Sequence, residues 1–181
     1  MSGKVLVLNG GSSSGKSGLA RSLQHLLPEA WLTFGVDTLV DALPARLSTG
    51  EGVNIGADGS VSLGDDFRIL ESAWNAGIAA MVRSGANVVI DEVFLSGAES
   101  QARLAAALAD LDVTWVGVRC EPEVAVGREI ARGDRVLGMA EKQALSVHDG
   151  VRYDVEVDTG RSESIECAAQ IVDFLHRAEA S

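Results

Sequence analysis

The chain has 181 residues, 46% of them hydrophobic, and a formal net charge of −11. This length and composition predict one domain, residues 1–181, with a substantial core. The acidic balance argues against DNA or RNA as the main partner, because binding a polyanion requires a basic face. No apolar run approaches the roughly 20 residues that span a bilayer, and no signal peptide is recognisable. The two cysteines lack metal-ligand spacing, so we expect free thiols in a soluble, cytoplasmic protein without a membrane partner.

Apolar runs typical of strands alternate with helical patterns along the chain. The predicted strands cover residues 5–8, 31–36, 88–91, 113–118 and 153–157. The predicted helices cover residues 17–27, 38–43, 66–84, 97–110, 121–132, 139–147 and 162–178. This alternation predicts an α/β fold of three layers, in which a five-stranded parallel sheet lies between helices. Ligands of such sheets bind beyond the carboxyl ends of the strands.

Residues 46–66 interrupt this alternation. An Asp58-Gly59 turn lies between two short strand-like segments, which predicts a β-hairpin. We interpret the excursion as a flap, and a plain surface loop is the alternative.

The sequence GGSSSGKS follows the first predicted strand and opens the first helix. It fits the phosphate-loop pattern GxxxxGK[ST], in which backbone N–H groups and a helix N-terminus surround an anion. Lys16 would reach the β- and γ-phosphates of ATP, and the Ser17 hydroxyl would bind Mg²⁺. A glycine-serine turn without a ligand is the alternative. The predicted nucleotide-binding residues are Gly10, Gly11, Ser12, Ser13, Ser14, Gly15, Lys16 and Ser17.

Asp91 ends the third predicted strand. An acid at the end of an apolar strand can hold Mg²⁺ directly or through water. The alternatives are an acidic turn without a ligand and, with Glu92, an acid pair that positions water in a hydrolytic ATPase.

Three arginines follow the fourth predicted strand. Arg128 and Arg132 lie four residues apart on one helical face, and Arg135 lies beyond the next turn. A mobile helix that carries them would form a lid over the triphosphate and stabilise the transferring group. Surface pairing with neighbouring acids is the alternative.

Asp37 closes the second predicted strand, beside the phosphate loop. A carboxylate there can accept the proton of an attacking hydroxyl, and a cap for helix 38–43 is the alternative. The strings NKxD and DxxG of a GTPase switch do not occur, which favours a small-molecule kinase. Asp41 is a weaker second contact to the acceptor, and Trp74 belongs either to the core or to the pocket wall. The predicted acceptor-site residues are Phe34, Val36, Asp37, Val40, Asp41, Trp74 and Phe94.

Seven segments spread over the chain resemble the chloramphenicol phosphotransferase family, and they lie at residues 8–13, 15–17, 34–37, 91–95, 115–120, 131–136 and 153–159. The resemblance implies a fold like that of nucleoside-monophosphate kinases and ATP-dependent phosphorylation of the primary hydroxyl of chloramphenicol. It implies that Asp37 is the general base and that Thr159 lies near the adenine. It also implies the residues that handle phosphates and magnesium, which are Lys16, Ser17, Arg132 and Arg135.

Two questions stay open at the level of sequence. The excursion at 46–66 is the part least similar to the family, so another hydroxylated antibiotic or metabolite is the alternative acceptor. A nucleotide-dependent regulatory module with slow hydrolysis is the alternative of a different class. The sequence does not give the oligomeric state.

Overall fold

The computed structural model describes residues 2–48, 52–133 and 137–180. In chain order the strands are β1 (Lys4–Asn9), β2 (Trp31–Gly35), β3 (Val53–Ile55), β4 (Val61–Leu63), β5 (Asn87–Glu92), β6 (Asp112–Arg119) and β7 (Val155–Asp158). The helices are α1 (Lys16–Leu26), α2 (Val36–Asp41), α3 (Ala45–Ser48), α4 (Asp65–Arg83), α5 (Ala98–Ala107), α6 (Pro122–Arg132), α7 (Met139–Ser146) and α8 (Ser164–Glu179).

Five strands form a parallel sheet in the order β2-β5-β1-β6-β7. The central strand β1 is an uninterrupted apolar run because helices cover both of its faces. Leu6 and Leu8 pack with α1 and α8 on one face, while Val5 and Val7 pack with α4 and α5 on the other. The predicted three-layer α/β fold with a five-stranded parallel sheet is therefore confirmed.

The passage from β2 to α2 differs from the prediction by two residues. The strand ends at Gly35 and α2 begins at Val36, whereas the sequence pattern predicted a strand to Val36 and a helix from Thr38. A Cβ atom on Gly35 would lie 2.6 Å from the carbonyl oxygen of Asp91, so only glycine allows this approach to β5. Gly35 is the N-cap residue, and Asp37 lies in the first turn. The interpretation of Asp37 as a helix cap is therefore wrong.

The hairpin predicted around Asp58-Gly59 is present. β3 and β4 pair antiparallel as a separate two-stranded sheet, and Gly59 has a φ of 79° at the turn. We call residues 53–63 the flap. Of the larger excursion at 46–66, residues 49–51 lie outside the described residues.

The two cysteines are buried free thiols, as expected. Within residues 2–48, 52–133 and 137–180, no helix is both long and apolar enough to cross a membrane.

Candidate nucleotide and acceptor site

The register of the parallel sheet brings three strand ends together. Gly35 at the end of β2 lies opposite Asp91, and Asn9 at the end of β1 lies opposite Glu92. The segments that follow β1 and β2 carry the phosphate-loop sequence and Asp37, and the acidic pair Asp91-Glu92 ends β5. The fold therefore collects at one edge of the sheet the groups that lie far apart in the sequence.

Residues 10–17 form a tight loop around the N-terminus of α1. Gly15 has a φ of 88° and Ser13 a φ of 58°, so the backbone turns through left-handed conformations before the helix begins. A Cβ atom on Gly10 would lie 2.7 Å from the carbonyl oxygen of Val118 on β6. The glycines are thus required by the curvature of the loop and by its contact with the sheet.

The cationic and hydroxyl groups of the loop meet Asp91. Lys16 is 7% exposed, and its Nζ donates to the carbonyl oxygen of Gly11 at 2.9 Å and lies 3.7 Å from Asp91 Oδ1. Ser17 Oγ donates to Asp91 Oδ2 at 2.9 Å. The arrangement places a buried ammonium, a hydroxyl and a carboxylate at the start of α1, as the sequence pattern predicted.

Two serine hydroxyls in the loop are buried without a partner among the described residues. Ser13 Oγ and Ser14 Oγ neither donate nor accept a hydrogen bond there. Buried polar groups are rarely left unpaired, so their state is typical of a site that an anionic ligand completes. These hydroxyls, the helix N-terminus and Lys16 fit a phosphate group.

The first arginine of the predicted lid contacts the loop after β7. Arg128 Nη2 donates to the carbonyl oxygen of Thr159 at 2.7 Å, and Thr159 Oγ1 donates to the carbonyl oxygen of Ser14. Arg128 and Thr159 line a second, smaller cavity of about 430 Å³ beside Gly15. Arg132 lines the main cavity, and Arg135 lies outside the described residues.

We call α6 and α7 together the lid. Glu129 on α6 is 1% exposed and accepts hydrogen bonds from the backbone N–H groups of Gly138 and Ala140, both at 2.9 Å. A carboxylate at this position caps α7 and holds the two helices together. Gln143 on α7 accepts a hydrogen bond from the Ser12 N–H at 2.8 Å, which links the lid to the phosphate loop.

The turn of the flap lies against the lid. A Cβ atom on Gly59 would lie 2.4 Å from the Gly138 carbonyl carbon and the Met139 nitrogen, so the two backbones are in close contact. Lys142 Nζ donates to Asp58 Oδ2 at 2.5 Å on the exposed side of this contact. The flap and the lid thereby close over one side of the main cavity.

The main cavity has a volume of about 690 Å³ and runs from the phosphate loop to the flap. It includes most of the residues that the sequence pattern predicted for the acceptor site: Phe34, Val36, Asp37, Val40 and Phe94. Trp74 instead packs edge-on against Phe34 with the ring centroids 5.9 Å apart. Trp74 and Asp41 are not among the described residues that line this cavity.

The sequence did not single out one polar wall of this cavity. Arg68, Glu71 and Asn75 on α4 line the cavity. Glu92, which the sequence singled out only as part of an acid pair in a hydrolytic ATPase, lines it as well. Burial and the nearby carboxylates of Glu71 and Asp91 raise the pKa of Glu92 to about 8. A carboxyl group with this pKa is protonated at neutral pH and can donate a hydrogen bond. The spacing of residues 68, 71 and 75 on one face of α4 was the signal in the sequence that could have identified this polar wall.

A buried polar network supports the start of the phosphate loop. Asn9 Nδ2 donates to the Tyr153 hydroxyl at 2.6 Å, and this hydroxyl lies 2.6 Å from Nδ1 of His148. Asn9 Oδ1 accepts a hydrogen bond from the Phe94 N–H at 2.9 Å. Burial, with the positive charge of Arg119 as a second cause, lowers the pKa of His148 to about 4. The network ties the segment after β5 to the end of β1.

No group of three or more His, Cys, Asp or Glu side chains within the described part of the chain is arranged to hold a metal ion. Mg²⁺ bound with a nucleotide takes few protein ligands because phosphates and waters complete its coordination. The Ser17 hydroxyl and the Asp91 carboxylate, in mutual contact, fit that requirement.

The sheet order, the loop at the start of α1 and the lid define the class of protein: a kinase-type phosphotransferase of the P-loop α/β fold. The family described as chloramphenicol phosphotransferase-like protein matches residues 3–176. The chain belongs to this family, and it is an O-phosphotransferase.

The sequence relatives come from two strains of Mycobacterium tuberculosis, and their names describe them as candidate O-phosphotransferases. They are 31% identical to this chain over 185 residues, which cover 93% of this chain and 80% of theirs.

Solved kinase structures share the whole fold. A sugar kinase from Janibacter sp. HTCC2649 aligns with a TM-score of 0.71 and 17% identity, over 98% of this chain and 97% of that one. The APS kinase CysC of Mycobacterium tuberculosis, in complex with AMPPNP and APS, aligns with a TM-score of 0.68 and 18% identity, over 97% and 98%. At these identities the likeness shows the fold.

Proposed function

We propose that this protein transfers the γ-phosphoryl group of ATP to a hydroxyl of a small-molecule antibiotic, and that this hydroxyl is the primary hydroxyl of chloramphenicol. One observation carries the proposal. A single cavity of about 690 Å³ is lined by the phosphate loop, by the Asp37 carboxylate and by an apolar flap. Such a cavity holds a phosphoryl donor and a hydroxyl acceptor side by side. The family supports the reaction class.

The nucleotide is assigned to the loop and to the smaller cavity. Residues 10–17 surround the phosphates, with the two unpartnered serine hydroxyls as additional donors. The smaller cavity beside Gly15, lined by Arg128 and Thr159, receives the base. The structure of APS kinase with AMPPNP supports ATP as the donor, because that protein shares the fold.

Ser17 and Asp91 would hold Mg²⁺. The ion neutralises charge that develops on the phosphates. The contact between Ser17 Oγ and Asp91 Oδ2 at 2.9 Å already brings both ligand atoms together.

The acceptor hydroxyl attacks the γ-phosphorus while Asp37 takes up the hydroxyl proton. A bond forms between the acceptor oxygen and phosphorus, and the bond between phosphorus and the bridging oxygen of ADP breaks. Lys16, Arg132 and Arg135 stabilise the negative charge of the transferring group. Asp37 is exposed within the cavity and follows the strand end opposite Asp91, which suits a base between acceptor and donor.

Mass spectrometry of the protein incubated with Mg-ATP and chloramphenicol tests the proposal. We expect a product about 80 Da heavier than the drug, because this is the mass that a phosphoryl group adds when it replaces the hydroxyl proton of an alcohol. Absence of this product, with phosphorylation of another alcohol in a panel of hydroxylated antibiotics, would replace the acceptor but keep the reaction. Absence of any phosphorylated alcohol, with slow release of phosphate, would favour a nucleotide-dependent regulatory module.

A further inference from the structure

Helix α4 presents a polar stripe to the cavity. Arg68, Glu71 and Asn75 follow one another at intervals of three and four residues, and all three line the cavity. Arg68 Nη1 donates to Glu71 Oε2 at 2.9 Å, so these two side chains satisfy each other. Asn75 has no such partner on the helix.

The amide oxygen of Asn75 is buried and unsatisfied. Asn75 is 9% exposed, and no described residue donates a hydrogen bond to its Oδ1. A buried carbonyl without a donor destabilises a fold relative to an apolar side chain of the same size. Asn75 lines the cavity, and rotation of its amide about χ2 brings this oxygen to the cavity surface, where a ligand can supply the missing donor.

The surroundings of Asn75 define the chemistry of that ligand. The cations on this side of the cavity form ion pairs, Arg68 with Glu71 and Arg103 with Glu99 at 3.7 Å. Among the described residues that line the cavity, α4 and α5 therefore offer no unpaired cation to an anionic acceptor, and a neutral acceptor fits this side better. Apolar side chains from the flap, from α4 and α5 and from the loop after β5 cover the rest: Val53, Ile55, Val61, Leu63, Phe67, Phe94 and Leu104.

We propose that Asn75 determines acceptor specificity, by accepting a hydrogen bond from a second N–H or O–H group on a neutral acceptor whose apolar part packs on the flap. The inference rests on the proposed function, because it concerns the molecule that receives the phosphoryl group. It adds a requirement that the reaction itself does not impose. The acceptor must carry a donor besides the reacting hydroxyl and must be uncharged at that end.

The test replaces Asn75 by leucine, which removes the amide and keeps a branched side chain with the same number of heavy atoms. With chloramphenicol as the probe, we expect kcat/KM for the acceptor to fall about tenfold, because the donor of the bound molecule loses its partner. The KM for ATP should stay unchanged. The midpoint of thermal unfolding should stay equal or rise, because an unsatisfied buried oxygen is removed. A structural role for Asn75 would instead lower the midpoint.

Donor-blocked analogues complete the test. One analogue, N-methyl chloramphenicol, lacks the amide N–H, and the other, 1-deoxychloramphenicol, lacks the second hydroxyl. We expect the wild-type kcat/KM to be about tenfold lower for one of these analogues than for chloramphenicol. For Asn75→Leu, we expect the same kcat/KM for that analogue and for chloramphenicol. Asn75→Ala repeats the measurement in case the leucine variant does not fold. The matched control is Gln170→Leu, at an exposed amide on α8 that is not among the described cavity-lining residues; it should keep wild-type kcat/KM.

The outcomes separate the two proposals. If the wild type phosphorylates chloramphenicol and Asn75→Leu keeps full kcat/KM, or if both analogues react like the parent, the role of Asn75 is refuted and the proposed function stands. If another alcohol of the panel is phosphorylated instead of chloramphenicol, the measurements are repeated with that alcohol and its O- or N-methylated analogues. The same changes in kcat/KM then support or refute the role of Asn75. If the wild type phosphorylates no alcohol, the proposed function fails and the role of Asn75 falls with it.

Discussion

The two ends of the main cavity are built differently. The phosphate end consists of eight consecutive residues, 10–17, whose backbone and side chains bond to the sheet, to the lid and to one another. The acceptor end combines α2, the flap, α4 and the loop after β5, which are separated along the chain. Its walls are mainly apolar, and one of its polar atoms, Asn75 Oδ1, has no described partner.

This difference follows from the work that each end performs in the proposed reaction. Every reaction of the class presents the same triphosphate, so a contiguous loop that is bonded to the sheet and to the lid can be rigid and pre-organised. The acceptor must enter, be recognised and leave, so its site is assembled from elements that are separate along the chain. Mutations should therefore reduce catalysis at the phosphate end and change acceptor recognition at the other.

The largest effect is expected at the phosphate end, from Lys16→Ala. The ammonium group is buried beside Asp91, and its loss should lower kcat/KM for ATP by about 10³-fold, the usual scale for removing a charge from a transferring group. A coupled assay of ADP release measures this effect. Lys4→Ala, at an exposed lysine of the same strand-loop unit, should keep normal activity. Turnover by Lys16→Ala above about a tenth of wild type would contradict the assignment.

Asp37→Asn should separate chemistry from binding. We expect phosphoryl transfer to fall by about 10²-fold, because the amide cannot accept the hydroxyl proton. Nucleotide affinity, measured by calorimetry with AMPPNP, should not change. Near-normal transfer would reduce Asp37 to a residue of the α2 first turn.

Asp41→Asn tests the boundary of the acceptor site. The sequence predicted a second acceptor contact there, but Asp41 is exposed and not among the described residues lining the cavity. We expect a change of less than about twofold in kcat/KM, as for most surface substitutions. A larger loss would extend the acceptor site beyond the cavity wall.

Sequence alone was sufficient to place the loop at residues 10–17 between the first strand of the sheet and the first helix. The motif is contiguous, and its glycines, lysine and serine have fixed roles relative to one strand and one helix. Asp91 and Asp37 were also recognisable, because parallel strands bring their carboxyl ends to the same edge. The sheet and hairpin followed from apolar runs and from the Asp58-Gly59 turn in the same way.

The polar wall of the acceptor end could not be found in this way. The apolar pattern of α4 indicates an inward face through Phe67, Leu70 and Trp74, yet Leu70 is 37% exposed while Asn75 is buried. Helix α4 borders the sheet on one side and the cavity on another, so a single apolar stripe does not define its buried surface. Likewise, the raised pKa of Glu92 depends on Glu71, 21 positions away in the sequence, and on burial.

Gly59→Ala tests whether closure of the acceptor end depends on the contact between flap and lid. A methyl group would collide with the backbone of Gly138 and Met139 at 2.4 Å and would also strain a φ of 79°. We expect kcat/KM for the acceptor to fall about tenfold, with a smaller change for ATP, because the flap can no longer close. Gly150→Ala provides a control, since it has a similar φ of 67° but contacts only Ala98 Cβ, at 3.2 Å. Equal effects of the two variants would assign the loss to backbone strain.

An effect on stability instead of catalysis is expected beneath the phosphate end, where His148 bonds to Tyr153. Burial lowers the pKa of His148 to about 4, below the unfolded value of 6.5. Between pH 6.5 and 4 the unfolded chain therefore binds more protons than the folded chain, so the free energy of unfolding falls as pH falls. We expect His148 to account for about 1 kcal/mol of this loss. Urea unfolding at pH 7 and pH 4.5 measures this loss in the free energy of unfolding.

His148→Gln keeps a hydrogen-bonding side chain that does not titrate, so the variant should lose less stability over this interval than the wild type. An equal loss in both proteins would show that acidification acts through other groups and that the support of the phosphate loop does not depend on a neutral His148.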